Sequence, residues 1–290
     1  MVTASTESSV ERSGEASYRR KYHRLQRLVA LVAQGSIHSI FVSGQPGISK
    51  TTTVLKTLAE LGLEEKRDYF IAKGRASPLG IYTQLASEVG SNRILIFDDC
   101  DSALNKDGVN LIKAALDDKD RRTVSFMSSR LPPGVPPEIE FTGRIIFISN
   151  LKVEAIDPAI ASRCHNIELN LSRDELYDFI EYEVLQVPHA SSTRSQRQYV
   201  LWRLKSALRM SPATPSVRLY KKLLDLWCHD RSNFNDHVEA LVPRSDDLSM
   251  LRQLLDRNDT VGEAAREFAR ITGKSERSFY LLKAKFRDCL

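Results

Sequence analysis

The feature that most constrains the fold is a strand, a glycine-rich turn and a helix that follow one another within residues 38–55. This segment has the sequence HSIFVSGQPGISKTTTVL. Its apolar first part is typical of a buried strand, and Gly44 and Gly47 allow a sharp turn before a helix that starts near Lys50. Such a turn directs successive backbone N–H groups and the positive end of the helix dipole toward one point, which suits a phosphate group. The segment therefore predicts an α/β fold with a phosphate-binding loop.

The turn follows the P-loop pattern G-x-x-x-x-G-K-[ST] with one departure. Lys50 and Thr51 close the pattern, whereas Ser49 stands in place of its last glycine. In a P-loop the lysine reaches the outer phosphates and the hydroxyl binds magnesium, so we predict ATP and Mg²⁺ as cofactors. A serine can replace the last glycine if its φ is negative, and we expect a negative φ at Ser49. The alternative is a turn that joins strand and helix and binds nothing. The predicted nucleotide-binding residues are Gly44, Gln45, Pro46, Gly47, Ile48, Ser49, Lys50, Thr51 and Thr52.

Strands and helices alternate along the first part of the chain. Strands are predicted at 36–43, 69–73, 94–97, 123–127 and 144–150, and helices at 18–34, 51–61, 79–89 and 109–116. Continuous apolar runs such as 94–97 indicate strands that are buried on both faces. The alternation predicts a doubly wound parallel sheet, in which ligands bind at the carboxyl ends of the strands.

From residue 172 onward the pattern is helical. Helices are predicted at 173–187, 197–207 and 216–228 and again from residue 248. A Thr-Gly-Lys turn at 272–274 favours a helix-turn-helix, although such helix pairs are also common packing units. We predict a disordered polar tail at 1–17, an α/β nucleotide-binding core at 18–171, a helical lid at 172–240 and a C-terminal helical region at 241–290.

Positive charge is concentrated in the C-terminal part of the chain. Residues 190–290 contain 19 Lys/Arg and 12 Asp/Glu, a net charge of +7, whereas the whole chain has a net charge of +5. A basic region of this kind favours contact with nucleic acid, and the alternative is a solvated basic face.

Several other classes of protein are disfavoured. No apolar run approaches the roughly 20 residues of a membrane span, and residues 1–17 lack the apolar core of a signal peptide, so we expect a cytoplasmic protein without a membrane partner. The cysteines are far apart and form no C-x-x-C pair of the kind that binds zinc or carries out redox chemistry.

Acidic residues follow the apolar strand at 94–97. Asp98, at the strand end, is the predicted magnesium ligand, and Asp99 is placed to polarise an attacking water molecule, with Asp101 as the reserve candidate. The alternative is a group of acids at a sheet edge that faces solvent.

Over about residues 20–230 these motifs resemble those of the AAA+ ATPases. Residues 44–51 are similar to the Walker A loop of that family, and residues 94–101 to its Walker B strand, in a DDCD form close to the DExD of clamp loaders. Many relatives carry Glu where Asp99 stands, so the side chain here is one methylene shorter. The resemblance implies an AAA+ core with a helical lid and a C-terminal helical extension, and it extends to AAA+ ATPases predicted in bacteriophage genomes.

The resemblance implies roles for three further residues. Asn150, at the end of the strand at 144–150, would be the sensor that orients the attacking water. Arg163, at the end of an Asp-Pro-Ala helix, would be an arginine finger that acts in the site of a neighbouring subunit. Arg218 would be the second sensor, in the lid. From the residues alone, these three are also explained as a turn residue, an arginine at its own helix end and a helix-start arginine.

The leading hypothesis is therefore an AAA+ ATPase. It would hydrolyse Mg-ATP in a homo- or hetero-oligomer with shared sites and would remodel or load a nucleic-acid or nucleoprotein complex, in the host cytoplasm if a phage encodes it. One alternative is an ATP-gated DNA-binding or adaptor protein with little turnover, which Ser49 and Asp99 favour. Another is a chaperone-like AAA+ protein that remodels proteins.

Overall fold

The structure is a computed structural model that describes residues 7–101, 106–117 and 121–287. It divides into two compact units, Met1–Ser172 and Arg173–Leu290, and the division falls where the sequence pattern changes from α/β to helical. Residues 1–6 of the predicted tail and 288–290 of the predicted C-terminal region lie outside the described residues. In the part of the chain that is described, no helix is long and apolar enough to cross a membrane.

Strands of the first unit form one parallel sheet and one hairpin. In chain order they are β1 (Ser39–Gly44), β2 (Tyr69–Lys73), β3 (Ile94–Asp98), β4 (Arg122–Ser125), β5 (Glu138–Phe141), β6 (Arg144–Ile148) and β7 (His165–Leu169). The parallel sheet has the order β2-β3-β6-β1-β7, and β4 and β5 pair antiparallel. Since β6 lies between β1 and β3, the carboxyl ends of these three strands meet at one edge of the sheet.

Helices cover both faces of this sheet. They are α1 (Glu7–Ala33), α2 (Lys50–Glu60), α3 (Pro78–Ser87), α4 (Lys106–Ala115) and α5 (Pro158–Arg163). Phe41, Phe97 and Phe147 share a buried cluster with Leu85 of α3 and Ile112 of α4. Alternate strand residues, such as the buried Ile40 and Val42, face the opposite way, and α1, which packs against α2, also contacts β1. The predicted α/β fold class with a doubly wound parallel sheet is thus confirmed.

Some element boundaries differ from the sequence prediction. The first helix begins at Glu7 rather than at residue 18, so the predicted tail is wrong for residues 7–17. No proline interrupts this stretch, and its Glu, Arg and Ala residues are good helix formers. The strands β5 and β7 were not predicted, because EIEF and HNIEL are only four and five residues long and contain only two apolar residues each.

The second unit is helical. Its helices are α6 (Arg173–Phe179), which continues as a π-helical turn, α7 (Arg194–Leu208), α8 (Val217–His229), α9 (Phe234–Leu241), α10 (Asp246–Arg257), α11 (Val261–Thr272) and α12 (Glu276–Lys285). Helices α10 to α12 share a separate core that includes Leu251, Phe268 and Phe279. Gly273, with a φ of 69°, ends α11, and Ser275 caps α12. The lid and the helix-turn-helix remain predictions.

Candidate functional site

The loop between β1 and α2 has a backbone that suits glycine at two positions. Gly44 has a φ of 146°, and a Cβ atom added there would lie 2.2 Å from the carbonyl oxygen of Leu169 in β7. Gly47 has a φ of 75°, which is in the left-handed region that favours glycine. Since the clash at Gly44 involves backbone, no side-chain movement can relieve it. The two glycines therefore fix a tight loop at the carboxyl end of β1, with Gln45, Pro46 and Thr52 exposed.

Ser49 is the loop residue whose predicted conformation is wrong. It precedes α2 with a φ of 65° and a ψ of 26°, in the left-handed region rather than at the negative φ predicted. Residues other than glycine are strained in such sparsely populated regions by about 1–3 kcal/mol. The loop thus keeps the backbone shape of the glycine pattern, although the residue is serine, and it carries strain at this position.

Lys50 begins α2, and its ammonium group lies against the loop. Nζ donates to the carbonyl oxygens of Gly44 at 2.7 Å and Gln45 at 2.8 Å, and to Oδ1 of Asn150 at 2.8 Å. Only 6% of the residue is exposed. A buried ammonium group needs oxygen partners, because removing a charge from water is unfavourable. Phosphate oxygens would offer it partners of the same chemical kind.

Thr51 and Asp98 connect the loop to β3. Thr51 Oγ1 donates to Oδ1 of Asp98 at 2.7 Å, and Lys73 Nζ lies 3.8 Å from Oδ2 of the same carboxylate. A hydroxyl and a carboxylate are the hard oxygen donors with which Mg²⁺ binds beside substrate phosphates. Within the described ranges, no group of three or more His, Cys, Asp or Glu side chains is placed to hold a metal ion. These two residues fit a magnesium ion that arrives with a nucleotide.

Asn150 connects the loop lysine to the second acid. Its Nδ2 donates to Oδ1 of Asp99 at 2.9 Å, while its Oδ1 accepts from Lys50. The position of β6 between β1 and β3 explains this contact. Asp99 has a φ of 52°, a conformation that Asp adopts more readily than most residues. Three residues that are far apart in sequence thus form one hydrogen-bonded chain.

Asp101, the reserve candidate, has a different partner. Its Oδ1 accepts from Oγ of Ser149 at 2.5 Å, whereas Asp99 faces Asn150. Between the two acids, Cys100 is buried, and its Sγ donates to the carbonyl oxygen of Ala72 at 3.2 Å. Burial and the charge of Asp98 raise the pKa of the Cys100 thiol. This thiol is therefore neutral at pH 7. Since Asp101 bonds to Ser149 and Asp99 bonds to Asn150, the geometry favours Asp99 over Asp101 as the acid near Lys50.

Arg163 lies at the opposite edge of the sheet, where the amino ends of the parallel strands meet. Ser39, the first residue of β1, donates its Oγ to the Arg163 carbonyl at 3.1 Å, and the guanidinium donates to the carbonyl of Ala159 in its own helix at 2.9 Å. That second bond is the one expected from the alternative interpretation of this arginine. Since β1 has six residues, the two edges are roughly 16 Å apart. Arg163 is thus remote from the phosphate-binding loop of its own chain.

Arg218 lies in the second unit, in the first turn of α8, and is exposed. Ser216 caps this helix by accepting from the backbone N–H of Leu219 at 3.0 Å. The cap accounts for the helix start without the arginine. The role of Arg218 as a second sensor therefore stays a prediction.

The sequence prediction missed Tyr22 as a residue at this loop. Its hydroxyl donates to the carbonyl of Ile48, and only 6% of the residue is exposed. The periodicity of Tyr18, Tyr22, Leu25 and Val29 along α1 could have indicated that it faces inward. No pattern in the sequence could have identified its partner, since the contact joins α1 to a loop 26 positions away.

Comparison with known proteins gives one similar sequence and a set of distantly similar folds. No protein-family model matches the chain. An uncharacterized 36.7 kDa protein of the nrdC-mobD intergenic region of Enterobacteria phage T4 is 36% identical over 126 residues. The match covers 42% of this chain and 39% of the length of the phage protein. This similarity agrees with the predicted resemblance to bacteriophage proteins.

Among solved structures, the RuvB Holliday junction branch migration motor of Thermotoga maritima is similar with a TM-score of 0.46 at 16% identity, over 90% of this chain and 87% of RuvB. A point mutant of the same RuvB gives a TM-score of 0.48 at 17% identity, with the same coverage. Because this likeness is distant, the fold assignment depends on the strand order and on the positions of the motifs. The predicted AAA+ motifs occur together in one α/β unit, with the loop after β1, the acids after β3 and Asn150 after β6.

Proposed function

We propose that this chain is an AAA+ ATPase that hydrolyses Mg-ATP in an oligomer in order to remodel or load a nucleic-acid or nucleoprotein complex. The observation that carries the proposal is the hydrogen-bonded chain from Lys50 through Asn150 to Asp99, beside the contact between Thr51 and Asp98. Hydrolysis needs a phosphate-binding cation, a base for water and a means of orienting the water. These groups meet at one edge of the sheet.

Each residue would contribute a separate part of the chemistry. The backbone N–H groups of residues 47–52 and the ammonium group of Lys50 would bind the phosphates, and Asp99 would accept the proton of the attacking water. Asn150, held between Lys50 and Asp99, would fix the position of that water. Thr51 and Asp98 would hold Mg²⁺, which would supply positive charge beside the phosphate oxygens.

We further propose that each site is completed by a neighbouring subunit. Arg163 lies at the edge of the sheet opposite the loop, so it can contact a nucleotide only in another copy or in a related subunit. A guanidinium supplied in this way stabilises charge on the transferring phosphoryl group. Arg218 would contact the γ-phosphate of a bound nucleotide from the helical lid.

The proposed nucleic-acid contact is in the C-terminal helical region. Residues 190–290 carry a net charge of +7, and Lys274, Arg277 and Lys285 are exposed on α12 or just before it. Basic side chains on one short helix suit the phosphate backbone, and such binding weakens as salt concentration rises. The similarity to the phage protein supports a site of action in the host cytoplasm.

The first experiment measures phosphate release from Mg-ATP with and without DNA. Lys50→Ala should abolish turnover, because it removes the phosphate-binding cation. Lys56→Ala is the matched control, since Lys56 lies on the same helix, is 72% exposed and pairs with Glu60. Equal rates for wild type and Lys50→Ala would refute the ATPase proposal. No effect of DNA at any salt concentration would favour action on protein instead.

Mixing two inactive variants tests the shared site. Arg163→Ala keeps an intact loop and Lys50→Ala keeps an intact arginine. In a mixed oligomer, a site is therefore complete where the loop of an Arg163→Ala subunit meets the arginine of a Lys50→Ala subunit. With random mixing of equal amounts, about a quarter of the contacts would be complete. Turnover should therefore reappear in the mixture, and a mixture as inactive as its components would show that Arg163 does not act between subunits.

A second candidate function is an ATP-gated DNA-binding or adaptor protein with little turnover. It is favoured by the left-handed backbone at both Ser49 and Asp99, the two positions that depart from the usual motifs. This function predicts nucleotide-dependent assembly, measured as particle size with and without a slowly hydrolysed ATP analogue, together with little phosphate release.

A further inference from the structure

The strained residue of the phosphate-binding loop is held on both sides. The carbonyl of Ile48, just before it, accepts from the hydroxyl of Tyr22 in α1. The carbonyl of Ser49 itself accepts from the backbone N–H of Thr53 and from its Oγ1, each at 2.9 Å. Two consecutive carbonyl groups are therefore fixed, one by α1 and the other by α2.

The contact from Tyr22 also sets the direction of the next N–H group. In a trans peptide the C=O and N–H groups point in opposite directions, and no peptide bond here is cis. Because the Ile48 carbonyl points to α1, the N–H of Ser49 points away from α1. Phosphate-binding loops work through N–H groups that are all directed to one side.

We propose that Tyr22 is a positioning residue for the nucleotide site. Its hydroxyl holds the peptide between Ile48 and Ser49 in the orientation that binds phosphate, and so keeps a serine in a conformation that glycine would adopt unaided. The inference rests on the proposed function, since it concerns the same loop. It adds a residue outside the P-loop pattern whose effect depends on Ser49.

The arrangement explains how the chain keeps a P-loop shape without its last glycine. Ile48 is 1% exposed, and a buried carbonyl without a donor is unfavourable. Rotation of this peptide to relieve Ser49 would leave both the carbonyl and the buried hydroxyl of Tyr22 without this bond. Tyr22 thus opposes the relaxation that the strain at Ser49 favours.

The test is a double-mutant cycle of Tyr22→Phe and Ser49→Gly in the full chain. The dissociation constant for a slowly hydrolysed ATP analogue, the KM and kcat for ATP and the melting temperature are measured for each variant. Tyr22→Phe keeps the ring and should weaken nucleotide binding about fivefold to tenfold, the equivalent of one hydrogen bond. It should raise KM by a similar factor and change kcat less than about twofold.

In the Ser49→Gly background, Tyr22→Phe should weaken nucleotide binding less than about twofold, because glycine accepts a positive φ without help. Tyr18→Phe is the matched control. Tyr18 is buried on the same helix, and its hydroxyl oxygen accepts from Nε of Arg19. Tyr18→Phe should lower the melting temperature as Tyr22→Phe does, but it should leave the nucleotide affinity unchanged.

Three outcomes would overturn the inference. An equal loss of affinity in both backgrounds would show that the hydroxyl acts through general stability and not on Ser49. Unchanged affinity in Tyr22→Phe, with normal binding by wild type, would remove Tyr22 and leave the ATPase proposal intact. Absence of nucleotide binding by wild type would refute the proposed function and this inference together.

Discussion

The parallel sheet has a carboxyl edge and an amino edge, where the carboxyl ends and the amino ends of its strands meet. The polar side chains at these two edges make different kinds of contact. At the carboxyl edge, Lys50, Asn150 and Asp99 bond to one another across three strands. At the amino edge, the guanidinium of Arg163 bonds to a carbonyl of its own helix. The carboxyl edge is a connected site, whereas at the amino edge the Arg163 guanidinium bonds within its own helix and only its backbone carbonyl is bonded to β1.

This difference shows what a single chain can provide. The strand order brings the ends of β1, β6 and β3 together, so the groups at the carboxyl edge are organised by the fold itself. The sheet also keeps Arg163 away from them, because α5 and the start of β7 lie at the other end of β1. If Arg163 takes part in hydrolysis, oligomerisation is needed to bring the two edges of different subunits together.

The largest expected effect is at the carboxyl edge, where Asp99 and Asp101 can be compared directly. Asp99→Asn should lower turnover by about 10²- to 10⁴-fold, the contribution of a general base, and leave nucleotide binding nearly unchanged. Asp101→Asn should lower it much less, because Asp101 bonds to Ser149 rather than to Asn150. Steady-state phosphate release and nucleotide binding measure the two effects. The reverse ranking would assign the base to Asp101.

A smaller effect is expected at the amino edge from Ser39→Ala. Ser39 is 3% exposed and donates to the Arg163 carbonyl, so its removal should lower the free energy of unfolding by about 1 kcal/mol. It should also lower turnover without weakening nucleotide binding, since it loosens the backbone of Arg163. Urea unfolding and phosphate release measure these changes.

Ser43→Ala is the control for stability at this strand. Ser43 is fully buried on the same face of β1, and its Oγ has no hydrogen-bond partner among the described residues. Replacing it should leave the free energy of unfolding unchanged or raise it. A similar loss in both variants would mean that Ser39 contributes by packing rather than by its bond to Arg163.

The comparison also shows which parts of the structure the sequence could predict. The P-loop pattern and the apolar strand runs are local signals, so the loop, the acidic turn and the α/β class were predicted. The contact between Lys50 and Asn150 follows once β6 is placed beside β1. Strands such as β7 (HNIEL) have weak alternation, and their position depends on neighbours that are distant in sequence.

The backbone at Ser49 could not be predicted for a similar reason. A residue's own preference would give Ser49 a negative φ, and the prediction followed that preference. The observed φ of 65° lies between a tertiary contact, that of Tyr22 with the Ile48 carbonyl, and the first hydrogen bond of α2, from the N–H of Thr53 to the Ser49 carbonyl. Local propensity is overridden where two packed elements fix the chain on either side of a residue.

The smallest effect concerns Asp157, at the start of α5, the helix that ends at the amino edge with Arg163. Its Oδ1 accepts from the backbone N–H of Ala159 at 2.8 Å, and its Oδ2 lies 3.0 Å from Nζ of Lys113. The hydrogen bond from Lys113, together with that from the backbone, lowers the pKa of Asp157. Stabilisation from this carboxylate is therefore present above its unfolded pKa of about 3.9 and is lost as pH falls through the lower folded value.

Asp157→Asn isolates that charge, because Asn caps a helix about as well as Asp. The melting temperature of the variant should lie slightly below that of wild type at pH 7 in low salt, and the difference should shrink in high salt because the pair is partly open to solvent. It should begin to shrink as pH falls below about 4, and it should vanish once the pH is below the lowered pKa of the folded carboxyl group, which is then neutral. In a Lys113→Gln background the difference at pH 7 should be smaller. A difference that persisted in strong acid would mean that Asp157 supports α5 through its shape and not through its charge.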